Sequence, residues 1–285
     1  MSEDVKTLIN GAIDCHMHGS PDVTERIASD LELAQAAKDA GMKGILLKSH
    51  VSPTASRARI VQDAVGGDFH VFGGLVLNRQ AGGLNIAAVE AEIKLGARQI
   101  WLPTLSAVNQ ARINNRDLSQ SVAVFDDDGH LQPQLYDIFD LIAQADIVLG
   151  TGHLSATEIA KVVPLAMQRG VKKILITHPE SRLIKMPLEM QNQLAKMGVF
   201  FERCFFQMSV KGAAAFPPQA MVEQIEKTGY RCSVISTDFG QISNDPPVEG
   251  LRKYIQILLE HGVSYAALEI MVKKNPAFLM GLSEP

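Results

Sequence analysis

Five histidines and one aspartate carry the chemistry that this sequence can do. His16 and His18 form a His-x-His pair in Asp14-Cys15-His16-Met17-His18. His50 closes Lys48-Ser49-His50, His153 closes Thr151-Gly152-His153, His178 opens His178-Pro179, and Asp238 stands in Thr237-Asp238-Phe239. Imidazole nitrogens and carboxylate oxygens are ligands for a divalent ion such as zinc. The chain has 8 histidines, and the five named here all follow directly on short apolar runs, a placement chance rarely gives. The other three read as structural. His70 begins such a run, His130 sits in a turn, and His261 precedes a helix-ending glycine.

The apolar runs are the elements that must position these groups. They are Ala12–His16, Gly44–Lys48, His70–Leu77, Gln99–Pro103, Ile147–Gly150, Lys173–Thr177, Val199–Glu202 and Ser233–Thr237. Most are apolar throughout, the pattern of strands buried on both faces of a parallel sheet. Amphipathic stretches with early capping acids and glycine stops lie between them, as in Asp30–Gly41. Eight strand–helix units predict an α/β fold, a (β/α)8 TIM barrel spanning 1–285 as a single domain, over a doubly wound open sheet. In such a barrel the residues that close the strands share one mouth. Residues two apart in a strand face the same side, so His16 and His18 are expected inside the mouth, with Cys15 and Met17 toward the helices. One connection after the fourth strand, Ser106–Gln132, is long. Its Asp128-Gly129 signals a hairpin, and the stretch Ser121–Leu131 is expected to act as a substrate loop at the mouth.

Composition narrows the partners. The chain has 285 residues, 46% of them hydrophobic, and a net charge of −4. No run of Lys or Arg marks a nucleic-acid surface, and no stretch reaches the roughly 18 apolar residues of a membrane span. Met1–Asn10 lacks the apolar core of a signal peptide. Cys15, Cys204 and Cys232 form no Cys-x-x-Cys pair, so no disulfide framework is expected and a reducing cytoplasm is.

The order His-x-His after strand one, His after strands five and six, and Asp after strand eight resembles the metal constellation of the amidohydrolase superfamily. Asn275-Pro276-Ala277 and Gly281-Leu282 are similar to the closing segment of many members. The resemblance implies a metal-dependent hydrolase in which His16, His18 and Asp238 hold a first metal. His153 and His178 then hold a second, or one joins the first while the other serves catalysis. Zinc is the expected ion, with manganese and iron as alternatives. Many dinuclear members carry a bridging lysine or glutamate after strand four; here that strand ends Trp101-Leu102-Pro103-Thr104. One ion or two therefore stays open, with Lys48 and His50 free to ligate or to touch substrate. His50 after an N-terminal His-x-His is also similar to the PHP phosphoesterases, whose further acidic ligand is missing from Gly73–Asn78.

The expected reaction is hydrolysis of an amide, ester, lactone or thioester bond of a small molecule, with Asp238 as proton acceptor and His178 or Lys48 stabilising the oxyanion. Lys48, Thr54 and Arg57 are expected to contact a substrate carboxylate, thioester or phosphate. Glu202 is expected to contact substrate or to orient a metal histidine, with an Arg203 pairing at the rim as the plainer reading. Asp22 is read as a helix cap or a substrate contact. The competing readings are a mononuclear decarboxylase with His178 as proton donor, a PHP-like phosphoesterase and a barrel that binds without catalysis. Oligomeric state is left open, homo-oligomers included.

Overall fold

Each apolar run forms a parallel strand and each amphipathic stretch a covering helix in a computed structural model, which describes residues 2–209 and 216–282. The strands are β1 (Ile13–Met17), β2 (Gly44–Leu47), β3 (His70–Phe72), β4 (Gly74–Val76), β5 (Gln99–Trp101), β6 (Val148–Gly150), β7 (Lys173–Thr177), β8 (Phe200–Cys204) and β9 (Ser233–Ser236). Strands β1 to β3 form one parallel sheet and β4 to β9 another.

The two sheets are one ring. Strands β3 and β4 are halves of the single run His70–Leu77, parted at Gly73. A Cβ there would stand 2.3 Å from the Thr54 carbonyl oxygen, so the chain passes only because Gly has none. Thr54 fills the gap: its Oγ1 donates to the carbonyls of Leu47 and Gly74 and accepts from the Gly74 N–H. That work occupies Thr54 in the wall, not with substrate. On the other side Met17 bridges Phe239 in parallel. The His18 N–H donates to Phe239 O at 2.9 Å and the Asp238 N–H to His16 O at 2.9 Å. The eight runs thus close into a (β/α)8 barrel.

Register along β1 departs from simple alternation. Ile13 pairs Gly44 and Asp14 pairs Ile45, but Met17 pairs Leu47, leaving an extra residue on β1. Such a bulge re-aims side chains. Cys15 therefore does not face the helices as the alternation predicts. It packs inside the barrel with Ile13, Leu46, Phe72, Val76, Trp101, Val148, Leu175 and Val234, above Leu279 and Met280. Trp101 is the largest of these, and Gly150 makes room for it: a Cβ would lie 2.4 Å from its ring. The outward faces, Ile45, Leu47, Ile100, Leu149, Ile174, Ile176, Phe201 and Ile235, pack under the helices. Capping boxes start the helices Asp30–Asp39 (Ser29 with Glu32) and Ala156–Gln168 (Ser155 with Glu158).

The hairpin forms, with Phe125 bridging Leu131 and Gly129 at φ +83. It is not the expected substrate loop. Val124 and Leu131 are buried in the outer core, and Phe125 lies under Lys161 of the helix Ala156–Gln168, 5.7 Å away. The apolar flanks that made the turn legible are what anchor it to the helix layer. Among the described residues, no helix is long and apolar enough to cross a membrane.

Candidate metal centre

The five strand-end imidazoles form a ring. Neighbouring centroids are 5.2 Å apart for His16–His18, 5.0 Å for His18–His50, 5.8 Å for His50–His153, 5.0 Å for His153–His178 and 6.3 Å for His178–His16. Four of the five, His18, His50, His153 and His178, line a cavity of about 360 Å³ at the C-terminal ends of the strands, and His16 is buried beside them. Lys48, Asp238, Arg26, Gln207, Leu105 and Leu183 are among its other walls.

His16, His18 and Asp238 converge. His16 Nε2 and His18 Nε2 each lie 3.1 Å from Asp238 Oδ1. Three such atoms within 4.8 Å of one another could hold one ion; ligands with bonds of roughly 2 Å in a tetrahedral site are about 3.3 Å apart. The bulge in β1 and the backbone of β9 set this up. Asp238 has φ +56 and His178 has φ +27, left-handed values that non-glycine residues hold only when the surroundings enforce them, and that gather at functional sites. Asp14 is part of the enforcement. Its buried carboxylate accepts from the His16 N–H (3.0 Å), the Thr237 N–H (3.2 Å) and the Thr237 hydroxyl, tying β1 to β9 where the ladder is broken. Burial raises its pKa to about 7 against those three donors. The sequence reading overlooked Asp14, although an acid inside an apolar strand is a visible signal.

Three of the five histidines have a partner at Nδ1. His16 Nδ1 sits 3.1 Å from Glu202 Oε2, so Nδ1–H donates and Nε2 keeps its lone pair for the centre. Cys204 Sγ is 3.9 Å from the same Nδ1; burial pushes that thiol well up, which leaves it inert. His153 Nδ1 meets Gln110 Oε1, an acceptor, which likewise frees Nε2. His50 Nδ1 is 2.8 Å from Thr104 Oγ1, which Asn78 holds in turn. Among the described residues, His18 Nδ1 and His178 Nδ1 are buried without a partner.

The electrostatics ask for positive charge. Burial disfavours protonating His16, yet the Asp238 and Glu202 carboxylates outweigh both burial and Lys48 and raise its pKa to about 9. Asp238, despite burial, is held well below the usual carboxylate range by His16 and His18. Burial takes His18 and His178 down to about 4, and lowers Lys48, His50 and His153. Lys48 Nζ stands 3.0 Å from His16 Nε2 and 5.3 Å over the Trp101 ring. One carboxylate, Asp238, with the imidazoles of His16 and His18 on the same oxygen and further imidazoles beside it, is a donor set that fits a divalent cation.

Two expected contacts lie elsewhere. Arg57 does not line the cavity: its guanidinium binds Asp30 at 2.7 Å and the Gly19 carbonyl. The loop after β2 turns its first helical residues toward β1's loop, so this cation is spent there. Glu202 is fully buried beneath His16 and does not reach the cavity as a substrate contact. Arg203 is not at the rim either; it points outward into a buried pair with Glu180, supported by Gln191 at 2.8 Å. Asp22 pairs with Arg26 rather than capping a helix. Arg26, Gln110 and Gln207 are wall residues the sequence reading missed: Arg26 stands on a loop, and Gln110 and Gln207 on the short helical turns Val108–Ile113 and Phe205–Met208, none with a periodicity to place it.

The profile of a family of unknown function (DUF6282) matches residues 11–202, which include the five histidines, Lys48 and Glu202 but not Asp238. No curated protein matches the chain. Among solved structures, the chain is similar to an amidohydrolase from Pseudomonas aeruginosa, with 14% identity, 98% of each chain covered and a TM-score of 0.66. It is also similar to 2,6-dihydroxybenzoate decarboxylase from Rhizobium, with 14% identity, 95% of this chain and 98% of that one covered, and a TM-score of 0.55. Such identities speak for the fold alone. The chain belongs to the family of unknown function DUF6282, and its fold is that of the amidohydrolase-type barrel.

Proposed function

We propose that this protein is a metal-dependent hydrolase of a small molecule. The observation that carries the reading is the convergence of His16 Nε2, His18 Nε2 and Asp238 Oδ1 beside the only histidine-lined cavity among the described residues. His16, His18 and Asp238 would hold the ion, with His153 and His178 beside it for a second ion or for catalysis. A divalent ion, zinc first among the candidates, supplies Lewis acidity, polarising a carbonyl and making a water acidic.

The chain's own groups do the rest. Asp238 takes the proton of the attacking water and returns it to the leaving group. The His16 and His18 contacts keep it ionised. Lys48 and His178 line the cavity and donate to the carbonyl oxygen as charge develops there. Glu202 fixes the tautomer of His16, and Asp14 holds the tips of β1 and β9 in register. The scissile bond is an amide, ester, lactone or thioester.

A second reading has one observation in its favour. Strand β5 brings no lysine or acid to bridge two ions; Thr104, at its end, serves His50 and Asn78 instead. A single ion with His178 as proton donor would suit decarboxylation. Metal-loaded protein incubated with amides, esters, lactones and thioesters, and separately with unsaturated and aromatic acids, separates the two. Hydrolysis without carbon dioxide release, lost in Asp238→Asn, is expected. Carbon dioxide release with no hydrolysis would replace the hydrolase by the lyase.

A further inference from the structure

The wall of the cavity holds two cations that the proposed chemistry does not use, Arg26 and Arg182. Arg182 is exposed and donates to Asn114 Oδ1 at 3.4 Å, whereas Arg26 is buried in the wall. Arg26 lies on the loop between β1 and the helix Asp30–Asp39. The loop is stitched across the mouth: Ser20 bridges Ser29, Arg26 bridges Gln241, and the Ile27 N–H donates to Gly240 O at 2.9 Å. The Arg26 side chain is 6% exposed and its partner Asp22 is 2% exposed. Asp22 Oδ2 accepts from Arg26 Nε at 3.2 Å and from Nη2 at 3.0 Å. A guanidinium has five N–H donors, and among the described residues no protein group accepts from Arg26 Nη1. Arg26 nevertheless forms part of the cavity wall beside His18.

Burying an ion pair costs more than it returns unless the remaining donors are used. Asp22 grips one edge of the guanidinium and thereby fixes its plane. Two wall amides are engaged elsewhere: Gln110 Oε1 meets His153, and Gln241 donates to Asp238 O and accepts from Asn244. Leu105, Leu183 and Phe206 supply apolar wall. The cavity of about 360 Å³ is at the small end for ligand sites.

We propose that Arg26 binds a carboxylate of the substrate, so that the substrate class is a small carboxylic acid with a short apolar body, its reacting bond at the histidine ring. The assignment rests on the hydrolase reading for the position of the reacting bond, but not for the carboxylate contact. A single open guanidinium edge matches the two oxygens of a carboxylate; inorganic phosphate is the competitor that the test includes.

The test uses the full chain loaded with zinc, with zinc content measured on every sample. Isothermal titration compares the dicarboxylates malonate to adipate with monocarboxylates of equal length. One carboxylate is drawn to the histidine ring in both series, and only the dicarboxylate has a second for Arg26. At least one dicarboxylate is expected to bind about tenfold or more tighter than its monocarboxylate, as a charge-assisted contact gives. Arg26→Met should erase that ratio while leaving zinc content and monocarboxylate affinity unchanged. Should Arg26→Met not fold, Arg26→Lys is used, and its ratio should fall at least threefold, because lysine lacks the planar fork, to about a third of wild type or less. An unchanged ratio in the variant, a ratio near one in wild type, or inorganic phosphate outcompeting every carboxylate would overturn the assignment. If the protein takes up no zinc, the metal reading fails by itself. Propionate binding, present in wild type and lost in Arg26→Met, then still decides for Arg26, and equal binding decides against it.

Discussion

At the floor of the barrel Leu46, Leu175, Val234 and Phe72 meet Trp101, Leu279 and Met280 without a charge among them. Two residues further along the same strands the inward positions are Lys48 after Leu46 and Thr177 after Leu175, and β9 runs on from Val234 through Ser236 to Asp238. The floor residues Leu46, Leu175 and Val234 sit in regular strand geometry. The mouth has the bulge in β1 and the left-handed His178 and Asp238. Floor residues are interchangeable apolar volume as far as chemistry goes; mouth residues keep polar groups buried at a cost that packing does not recover. The difference teaches where stability is made and where it is given up for a site.

Four substitutions break or sharpen that contrast. The largest effect is expected from Asp238→Asn at the mouth. Asn tolerates a left-handed backbone well, so the fold should survive with its melting temperature little changed. Turnover should fall by roughly 10²–10⁴-fold, as for loss of a general base; steady-state kinetics on the first active substrate measures it, and a change within a few-fold would remove Asp238 from the mechanism.

Leu46→Ala at the floor should do the reverse. It opens a cavity in the inner core and should cost roughly 2–5 kcal/mol in denaturant unfolding, while metal content per folded chain stays at the wild-type level. A loss of metal without loss of stability would show that floor and mouth are not separable.

Glu202→Gln probes the contact beneath His16. The amide keeps the volume but releases the tautomer, so metal affinity should weaken by about 10–100-fold, read by competition with a chromophoric chelator, with little change in unfolding. Equal affinity in the variant would leave Glu202 a packing residue.

The smallest effect is expected at the hairpin. Asp126, Asp128 and His130 cluster there in the open, yet Asp126→Ala should shift stability by no more than about 0.5 kcal/mol and leave metal stoichiometry untouched. A drop of one metal equivalent per chain would move the metal site to the hairpin.

Much of this was legible in the sequence. The eight apolar runs became the strands because residues buried on both faces leave an unbroken apolar signature, and the histidines that close those runs reached one ring because parallel strands deliver their ends to one side. What was not legible depends on register and on loops. The bulge that turns Cys15 inward leaves no mark in the alternation, since Cys, His and Met all suit a buried face. Arg57 was read toward substrate because it follows a strand; only the packing of the helix Ala55–Val65 against that of Asp30–Asp39 reveals Asp30 as its partner. Arg26 lies in a loop whose path is set by its bridges to Ser29, Gln241 and Gly240, contacts more than two hundred residues apart in part and invisible to local pattern. The hairpin misled because turn chemistry reports the turn and not what its flanks pack against.

The central claim is that the mouth is a metal centre built on His16, His18 and Asp238. Its most direct measurement is elemental analysis of the purified protein after equilibration with zinc and removal of excess, on wild type and on His16→Ala side by side. The account predicts at least one tightly held equivalent per chain in wild type and its loss in a variant that still melts cooperatively. Wild type retaining no metal, or His16→Ala retaining as much as wild type, would contradict it.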